Sequence, residues 1–192
     1  MTPSSGVWSA LVAAALFGAS TPIAKRLLGE VSPVMLAGLL YAGSGLGLAA
    51  VLAIRRIAAG NRGNLVLPSR DDLRWLAGAI LFGGIVGPIL LMWGLRSTAA
   101  STASLLLNLE GAFTALLAWF AFRENFDRRI ALGMALILGG GVLLSWTPEA
   151  VMVSPGALLV IAACFCWGVD NNFTRKVAAN DAMLIACLKG LV

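Results

Sequence analysis

Residues 101–125 read STASLLLNLEGAFTALLAWFAFREN, an apolar run that carries Glu110 near its middle and ends in a charged turn. From Ala99 to Phe122 there are 24 residues, enough for roughly 36 Å of helix. This length predicts one helix across a bilayer with Glu110 at mid-depth. An acidic residue there costs about 2.5 to 3.5 kcal/mol and usually faces a protein cavity. Glu110 is therefore predicted to be functional; the alternative is a neutral or paired carboxyl that only joins helices.

The composition agrees with a membrane protein. Of 192 residues 12% are charged, against about 25% in soluble domains, and the mean hydropathy is +0.90. We therefore predict an all-α polytopic membrane protein with the lipid bilayer as a partner. The net charge of +5 does not indicate nucleic-acid binding, because the basic residues lie mostly between apolar runs and form no basic face interleaved with aromatics.

Enzyme chemistry is not indicated either. The chain has no His, and Cys164, Cys166 and Cys187 lie in apolar runs, where they are predicted to be buried small side chains rather than disulfides or zinc ligands. Glu110 and Asp170 are the acids in deep apolar surroundings, and no oxyanion donors or phosphate-binding loop accompany them. We predict no catalytic residue, no metal and no cofactor.

The apolar runs predict a helical bundle of six full transmembrane helices plus a truncated seventh, with a loop at 55–74 and a turn at 147–155. Pro22 predicts a kink in the first helix, and Pro88 with nearby glycines predicts one in the third. The runs cover residues 6–28, 33–54, 75–95, 99–122, 130–146, 156–178 and 182–192.

Basic residues predict the orientation. Ten lie in the even-numbered connections and three in the odd-numbered ones. Because Lys and Arg are retained on the cytoplasmic side, the N-terminus and the 55–74 loop are predicted inside and the 147–155 turn outside.

The sequence contains an internal repeat. When the chain is aligned with itself at an offset of 150 residues, ALVAAALFG at 10–18 matches VIAACFCWG at 160–168. Five spans precede the second copy, so it enters the membrane from the opposite side. Such a five-helix inverted repeat is typical of secondary transporters, although low-complexity bias would also produce a short match. The predicted domains are 1–150, the first repeat, and 151–192, the start of the second.

Three segments carry a resemblance to a known family: LFGAS at 16–20, ASLLLNLEGAFTALLAWFAFRE at 103–124 and ALGMALILGGGVLL at 131–144. Over about residues 6–146 the chain resembles the EamA domain of the drug/metabolite transporter superfamily. The resemblance implies ten helices in two repeats, the cytoplasmic (inner) membrane, and export of amino acids, metabolites or drugs. The family's common Pro two residues before Phe113 is absent, so the fourth helix is expected to be less kinked.

The resemblance also implies that the last helices are missing from this chain. We therefore expect small-residue faces such as Gly43 and Gly47 to be left open, so that the chain forms a homodimer or aggregates. The alternative to a transporter is a truncated or non-transporting membrane subunit with a structural or assembly role.

Five residues are predicted to bind the solute or a proton: Asn108, Glu110, Trp167, Asp170 and Asn171. Asn108 and Glu110 lie roughly 200° apart around a helix, so Glu110 is expected to face the cavity and Asn108 to bond a neighbouring helix. Glu110 would take a proton in one state and a cationic solute in another, which predicts proton-coupled export.

Asp170, Asn171 and Asn172 cover most of a turn, so at least one is expected to face inward and bond a small-molecule solute. An ordinary polar helix end is equally consistent with this sequence. Trp167 either packs against a ring of the solute or fills the bundle. Lys189 lies in the unfinished seventh run and receives no role.

Overall fold

The computed structural model describes residues 3–58, 69–125, 127–145, 154–177 and 181–192. For residues 3–5 and 141–145 it describes the backbone alone. Every regular element in these ranges is a helix. The elements are α1 (Pro3–Leu27), α2 (Pro33–Ala58), α3 (Arg70–Ala79), a π-helical segment (Ile80–Val86), α4 (Gly87–Ser97), α5 (Ala100–Leu106), α6 (Leu109–Phe120), α7 (Arg128–Ser145), α8 (Pro155–Lys176) and α9 (Ala182–Leu191).

Five helices in the described ranges are long and apolar enough to cross a membrane: Gly6–Leu27, Pro33–Ala58, Arg70–Ser97, Ala100–Phe120 and Pro155–Lys176. The chain is therefore an all-α, multi-pass membrane protein. α7 and the shorter apolar helix α9 occupy the places of the fifth and seventh predicted runs.

The predicted 55–74 loop is shorter than expected at both ends, because α2 continues to Ala58 and α3 begins at Arg70. Ser69 caps α3 in a capping box. The Ser69 side chain accepts a hydrogen bond from the Asp72 backbone N–H, and the Asp72 side chain accepts one from the Ser69 backbone N–H. The middle of this loop, residues 59–68, and residues 147–153 of the predicted 147–155 turn lie outside the described residues.

The third span changes helix type where the sequence predicts a kink. The π-helical segment Ile80–Val86 comes directly before Gly87 and Pro88, and the Gly87 N–H bonds the carbonyl of Phe82, five residues back. Because Pro88 has no N–H and its ring crowds the preceding turn, the wider π winding accommodates it without breaking the span. Pro22 lies within helix α1, whose assignment continues through it, and the kink predicted there stays a prediction.

The fourth run is not one continuous helix. α5 ends at Leu106 and α6 begins at Leu109, while the N–H groups of Asn108 and Glu110 bond carbonyls only three residues back, at 3.2 and 3.1 Å. Glu110 consequently lies in the first turn of α6. The run still forms one candidate membrane span, Ala100–Phe120, with Glu110 at its middle as predicted, but the tight turn at Leu107 and Asn108 was not predicted.

α8 is the central helix, packed against α3, the π-helical segment, α4, α5 and α6. Glycines bring it close to α4: a Cβ on Gly156 would lie 2.8 Å from the carbonyl oxygen of Gly94. The main core cluster includes Leu36, Met92, Leu95, Ala103, Val160 and Cys164. All three cysteines are buried and free, as the sequence predicts.

α2 and α9 meet at Gly45 and Gly190. A Cβ on Gly45 would lie 2.6 Å from the Gly190 carbonyl carbon, whereas no atom of the described residues lies within 4 Å of a Cβ on Gly43 or Gly47. The open faces expected at Gly43 and Gly47 are present, and the glycine that permits close helix packing lies between them.

Gly45→Ala is therefore expected to lower the free energy of unfolding by about 1 to 3 kcal/mol, because the added methyl group overpacks two backbones. Gly47→Ala, on the same helix and in open space, is the matched control and should leave stability unchanged or slightly raised. Thermal unfolding of the full-length protein in detergent measures both. Equal unfolding temperatures for the two variants would contradict the α2–α9 contact.

Candidate functional site

A polar cluster joins α6 to α8 within the apolar bundle. The Asn171 side-chain amide donates to Glu110 Oε1 at 2.9 Å and to Thr114 Oγ1 at 3.1 Å, and the Thr114 hydroxyl donates to the Glu110 carbonyl at 2.8 Å. Asn172 adds bonds to the carbonyls of Thr114 and Gly168, at 2.9 and 2.8 Å. We call Glu110, Thr114, Asn171 and Asn172 the α6–α8 polar cluster.

A close backbone approach makes this cluster possible. A Cβ on Gly168 would lie 2.8 Å from Phe113 Cβ, so α6 and α8 are near enough for short side chains to bridge them. Asn172 is 2% exposed, while Glu110 is half-buried and Asn171 is exposed. The Glu110 carboxylate therefore has a fixed partner and remains accessible.

A second polar group lies on another face of α8. Lys189 Nζ donates to both carboxylate oxygens of Asp170 at 2.6 Å and to Thr174 Oγ1 at 3.3 Å. The Thr174 hydroxyl donates to Asp170 Oδ1 at 3.0 Å. The Asp170 and Lys189 side chains are 6% and 17% exposed, so this Asp170–Lys189 pair is a buried ion pair between two apolar helices.

The π-helical segment supplies a backbone acceptor next to this pair. Gly83 O receives hydrogen bonds from the Tyr41 hydroxyl at 2.7 Å and from Trp167 Nε1 at 3.2 Å. The two backbone groups that would normally bond this carbonyl do not: the Gly87 N–H goes to Phe82 and Pro88 has no N–H. Two side chains from α2 and α8 therefore satisfy it.

The predicted site residues fall into separate groups. Glu110 and Asn171 are brought together, Asp170 pairs with Lys189 instead, and Trp167 bonds the π-helical segment. Asn108 is exposed and donates to the carbonyl of Leu105 at 3.0 Å. Among the described residues its side chain bonds its own helix at the α5–α6 turn, and the predicted bond from Asn108 to a neighbouring helix stays a prediction.

Sequence reasoning missed four participants: Tyr41, Thr114, Thr174 and Lys189. Lys189 had a usable signal, since an ionisable residue in an apolar run is normally paired within the bundle. Thr174 follows Asp170 by four residues, a spacing that places both on one helix face. Within the described ranges, no group of three or more His, Cys, Asp or Glu side chains could hold a metal ion.

Comparison with known proteins gives a family match. The model of the EamA-like transporter family matches residues 4–146. An uncharacterized transporter of Methanothermobacter thermautotrophicus is 30% identical over 97% of this chain and 58% of its own length. The chain thus spans less than two thirds of this relative.

Two relatives match shorter segments. A probable amino-acid metabolite efflux pump of Salmonella typhimurium is 33% identical over 43% of this chain and 28% of its own length. A probable 4-amino-4-deoxy-L-arabinose-phosphoundecaprenol flippase subunit ArnE of Pseudomonas fluorescens is 39% identical over 40% of this chain and 64% of its own length. No solved structure matches this chain.

Proposed function

Because this chain belongs to the EamA-like transporter family, we propose that it is part of a secondary transporter that exports small metabolites, amino acids or drugs across the cytoplasmic membrane. The relatives named as efflux pumps support the direction of transport. The solute crosses between the helices of the bundle, and the chain carries out no chemical reaction on it.

The α6–α8 polar cluster is the observation that carries this proposal. Its carboxylate, Glu110, lies in an apolar span, is half-buried and is held by Asn171 across the helix interface. A charge at this depth is costly and marks a solute or ion path. The break between α5 and α6 supports this reading, since discontinuous helices form the binding sites of many secondary transporters.

In the proposed mechanism Glu110 couples proton and solute fluxes. The carboxylate is neutralised by a proton in one state and by a cationic group of the solute in the other, so the two ligands compete. Asn171 keeps the Glu110 carboxyl group oriented in both states. Its side-chain amide donates a hydrogen bond to Glu110 Oε1, and this oxygen can accept that bond whether the group is ionised or protonated. Competition at one group links the two movements.

Glu110→Gln tests this mechanism. Glutamine keeps the volume and the acceptor for Asn171 but cannot exchange a proton, so folding should be nearly unchanged while pH-dependent transport is lost. The assay is export of radiolabelled amino acids by proteoliposomes of the full-length protein, measured across the neutral pH range. Glu30→Gln, in the exposed turn after α1, is the matched control. An unaltered pH profile in the Glu110 variant would make Glu110 structural only.

The wider architecture is part of the proposal. Six full spans and the start of a seventh would form a first repeat at 1–150 and the beginning of an inverted second repeat at 151–192. The end of the family match at residue 146 and the 58% coverage of the Methanothermobacter thermautotrophicus relative support this division. The excess of basic residues in even-numbered connections supports a cytoplasmic N-terminus, and the open Gly43 and Gly47 face supports a homodimer.

A second candidate is a membrane subunit without transport activity of its own. The similarity to a probable flippase subunit favours it. Reconstituted vesicles that carry this chain alone separate the two candidates: solute uptake supports a transporter, and its absence supports a subunit.

A further inference from the structure

One hydroxyl in the α6–α8 polar cluster has hydrogen bonds whose direction is fixed by its chemistry. Thr114 Oγ1 lies 2.8 Å from the Glu110 backbone carbonyl oxygen and 3.1 Å from the Asn171 side-chain nitrogen. A carbonyl oxygen carries no hydrogen, so the Thr114 hydroxyl must donate to it. A hydroxyl has a single hydrogen. Thr114 Oγ1 can therefore only accept from Asn171.

This direction decides which end of the Asn171 amide faces Glu110. An asparagine side chain can meet a carboxyl group in two ways: its NH2 end donates to an oxygen of the group, or its C=O end accepts from a protonated group. The Asn171 nitrogen that bonds Thr114 also bonds Glu110 Oε1, at 2.9 Å. Because Thr114 accepts only, it holds the NH2 end toward Glu110 in both protonation states.

We propose that Thr114 is a positioning residue of the transporter, which fixes the orientation of the Asn171 amide and so keeps an N–H donor on the Glu110 carboxyl group while proton and solute exchange. The inference rests on the proposed coupling role of Glu110. Without the Thr114 hydroxyl, protonation of Glu110 would let the Asn171 amide turn over and accept from the carboxyl O–H. The carboxyl group would then leave the orientation in which it receives the solute.

Both helices hold Thr114 in place. It lies four residues after Glu110, the spacing at which a threonine hydroxyl bonds a carbonyl of its own helix. From α8, the side-chain amide of Asn172 donates to the Thr114 carbonyl oxygen at 2.9 Å, and Asn172 is 2% exposed. The Thr114 hydroxyl is therefore fixed by α6, and its backbone is fixed against α8.

The Asn171 amide uses both of its hydrogens in this cluster. A side-chain NH2 group has two N–H donors, and the two acceptors bonded to this nitrogen are Glu110 Oε1 and Thr114 Oγ1. The adjacent carboxylate of Asp170 is paired with Lys189 instead. Among the described residues, Thr114 is thus the acceptor that holds the second hydrogen of the amide.

Thr114→Val and Thr114→Ser separate orientation from packing. Valine keeps the branched shape without a hydroxyl, whereas serine keeps the hydroxyl. Both variants should fold, because residue 114 keeps its backbone N–H, which bonds the Glu110 carbonyl in the regular α-helical pattern. Thr102→Val, the same substitution at an exposed position of α5, is the matched control.

Nuclear magnetic resonance observes the amide without any transport. The purified full-length protein in detergent carries isotope-labelled asparagine, and Asn171→Ala identifies the side-chain signals of Asn171. In the wild type, Thr114→Ser and Thr102→Val, both amide hydrogens should show hydrogen-bonded shifts at acidic and at neutral pH. In Thr114→Val, one of them should lose its hydrogen-bonded shift. Wild-type signals in Thr114→Val at both pH values would overturn the proposal.

Transport kinetics test the consequence for the solute. In proteoliposomes, Thr114→Val is expected to raise the KM for a radiolabelled amino acid by about two- to tenfold, the usual contribution of one hydrogen bond, with kcat nearly unchanged. Thr114→Ser should restore most of the wild-type KM. In an Asn171→Ala background, Thr114→Val should add no further change, since Thr114 acts through Asn171. The same rise in KM with and without Asn171 would overturn the proposal.

The role of Thr114 and the coupling role of Glu110 fail separately. Wild-type amide signals in Thr114→Val would overturn the role of Thr114 and leave the coupling mechanism intact. An unaltered pH profile in Glu110→Gln would overturn the coupling mechanism, whereas orientation of the Asn171 amide by Thr114 would stand if its signals still depend on the Thr114 hydroxyl.

Discussion

Asp170→Asn is expected to lower the free energy of unfolding by about 3 to 5 kcal/mol. The substitution keeps the size of the side chain but leaves the Lys189 ammonium buried without its counter-ion. In the part of the chain that the structure describes, Asp170 is the carboxylate that pairs with Lys189, and both side chains are largely shielded. An apolar membrane interior offers no water to replace the lost carboxylate.

A second substitution should restore most of this loss. Asp170→Asn/Lys189→Met removes both charges, so only packing and hydrogen-bond differences remain. Glu124→Gln is the control for a surface pair: Glu124 is ion-paired with Arg175, but both side chains are substantially exposed, and such pairs contribute about 0 to 1 kcal/mol. Denaturant unfolding in detergent compares the variants. A double variant no more stable than Asp170→Asn would show that the loss is not electrostatic.

Gly83→Ala should destabilise the protein by about 3 kcal/mol or more, because it combines overpacking with damage to a buried ion pair. The new methyl group would occupy the place of the Asp170 carboxylate. Asp170 must then turn away from Lys189, or α8 must move away from the π-helical segment. Either movement removes contacts that hold the third span against α8.

Gly111→Ala is the matched control for Gly83→Ala. Gly111 also lies in a span, in α6, but in the part of the chain that the structure describes nothing lies within 4 Å of a Cβ at this position. Alanine there should leave stability unchanged or raise it by up to about 1 kcal/mol, since glycine disfavours a helix. Unfolding temperatures in the same detergent measure both variants. A Gly83 variant as stable as the Gly111 variant would contradict the close contact with Asp170.

Much of the fold follows from the composition of single segments. Apolar runs predict helices because backbone groups in lipid must bond within their own segment, and the helices fall close to the predicted ranges. The burial of Cys164, Cys166 and Cys187 follows from the same apolar context. Each of these predictions depends on local sequence alone.

The features that were missed depend on contacts between segments. Gly45 rather than Gly43 or Gly47 meets α9, because the choice depends on how α2 is rotated toward its neighbour. The break before Glu110 has no Pro or Gly at Leu107 and Asn108 to mark it. The role of Lys189 as a partner of Asp170 becomes visible only in the folded structure, where the two side chains form an ion pair.

The Asp170–Lys189 pair also has a consequence for synthesis of the chain. Its members are 19 residues apart and lie on successive helices, so Asp170 is made about 1 to 4 seconds before its partner at typical elongation rates of about 5 to 20 residues per second. During that interval α8 alone carries an acid that disfavours release into lipid by about 2.5 to 3.5 kcal/mol. α8 is therefore expected to remain at the insertion machinery until α9 emerges, so that Asp170 and Lys189 enter the apolar phase as a neutral pair.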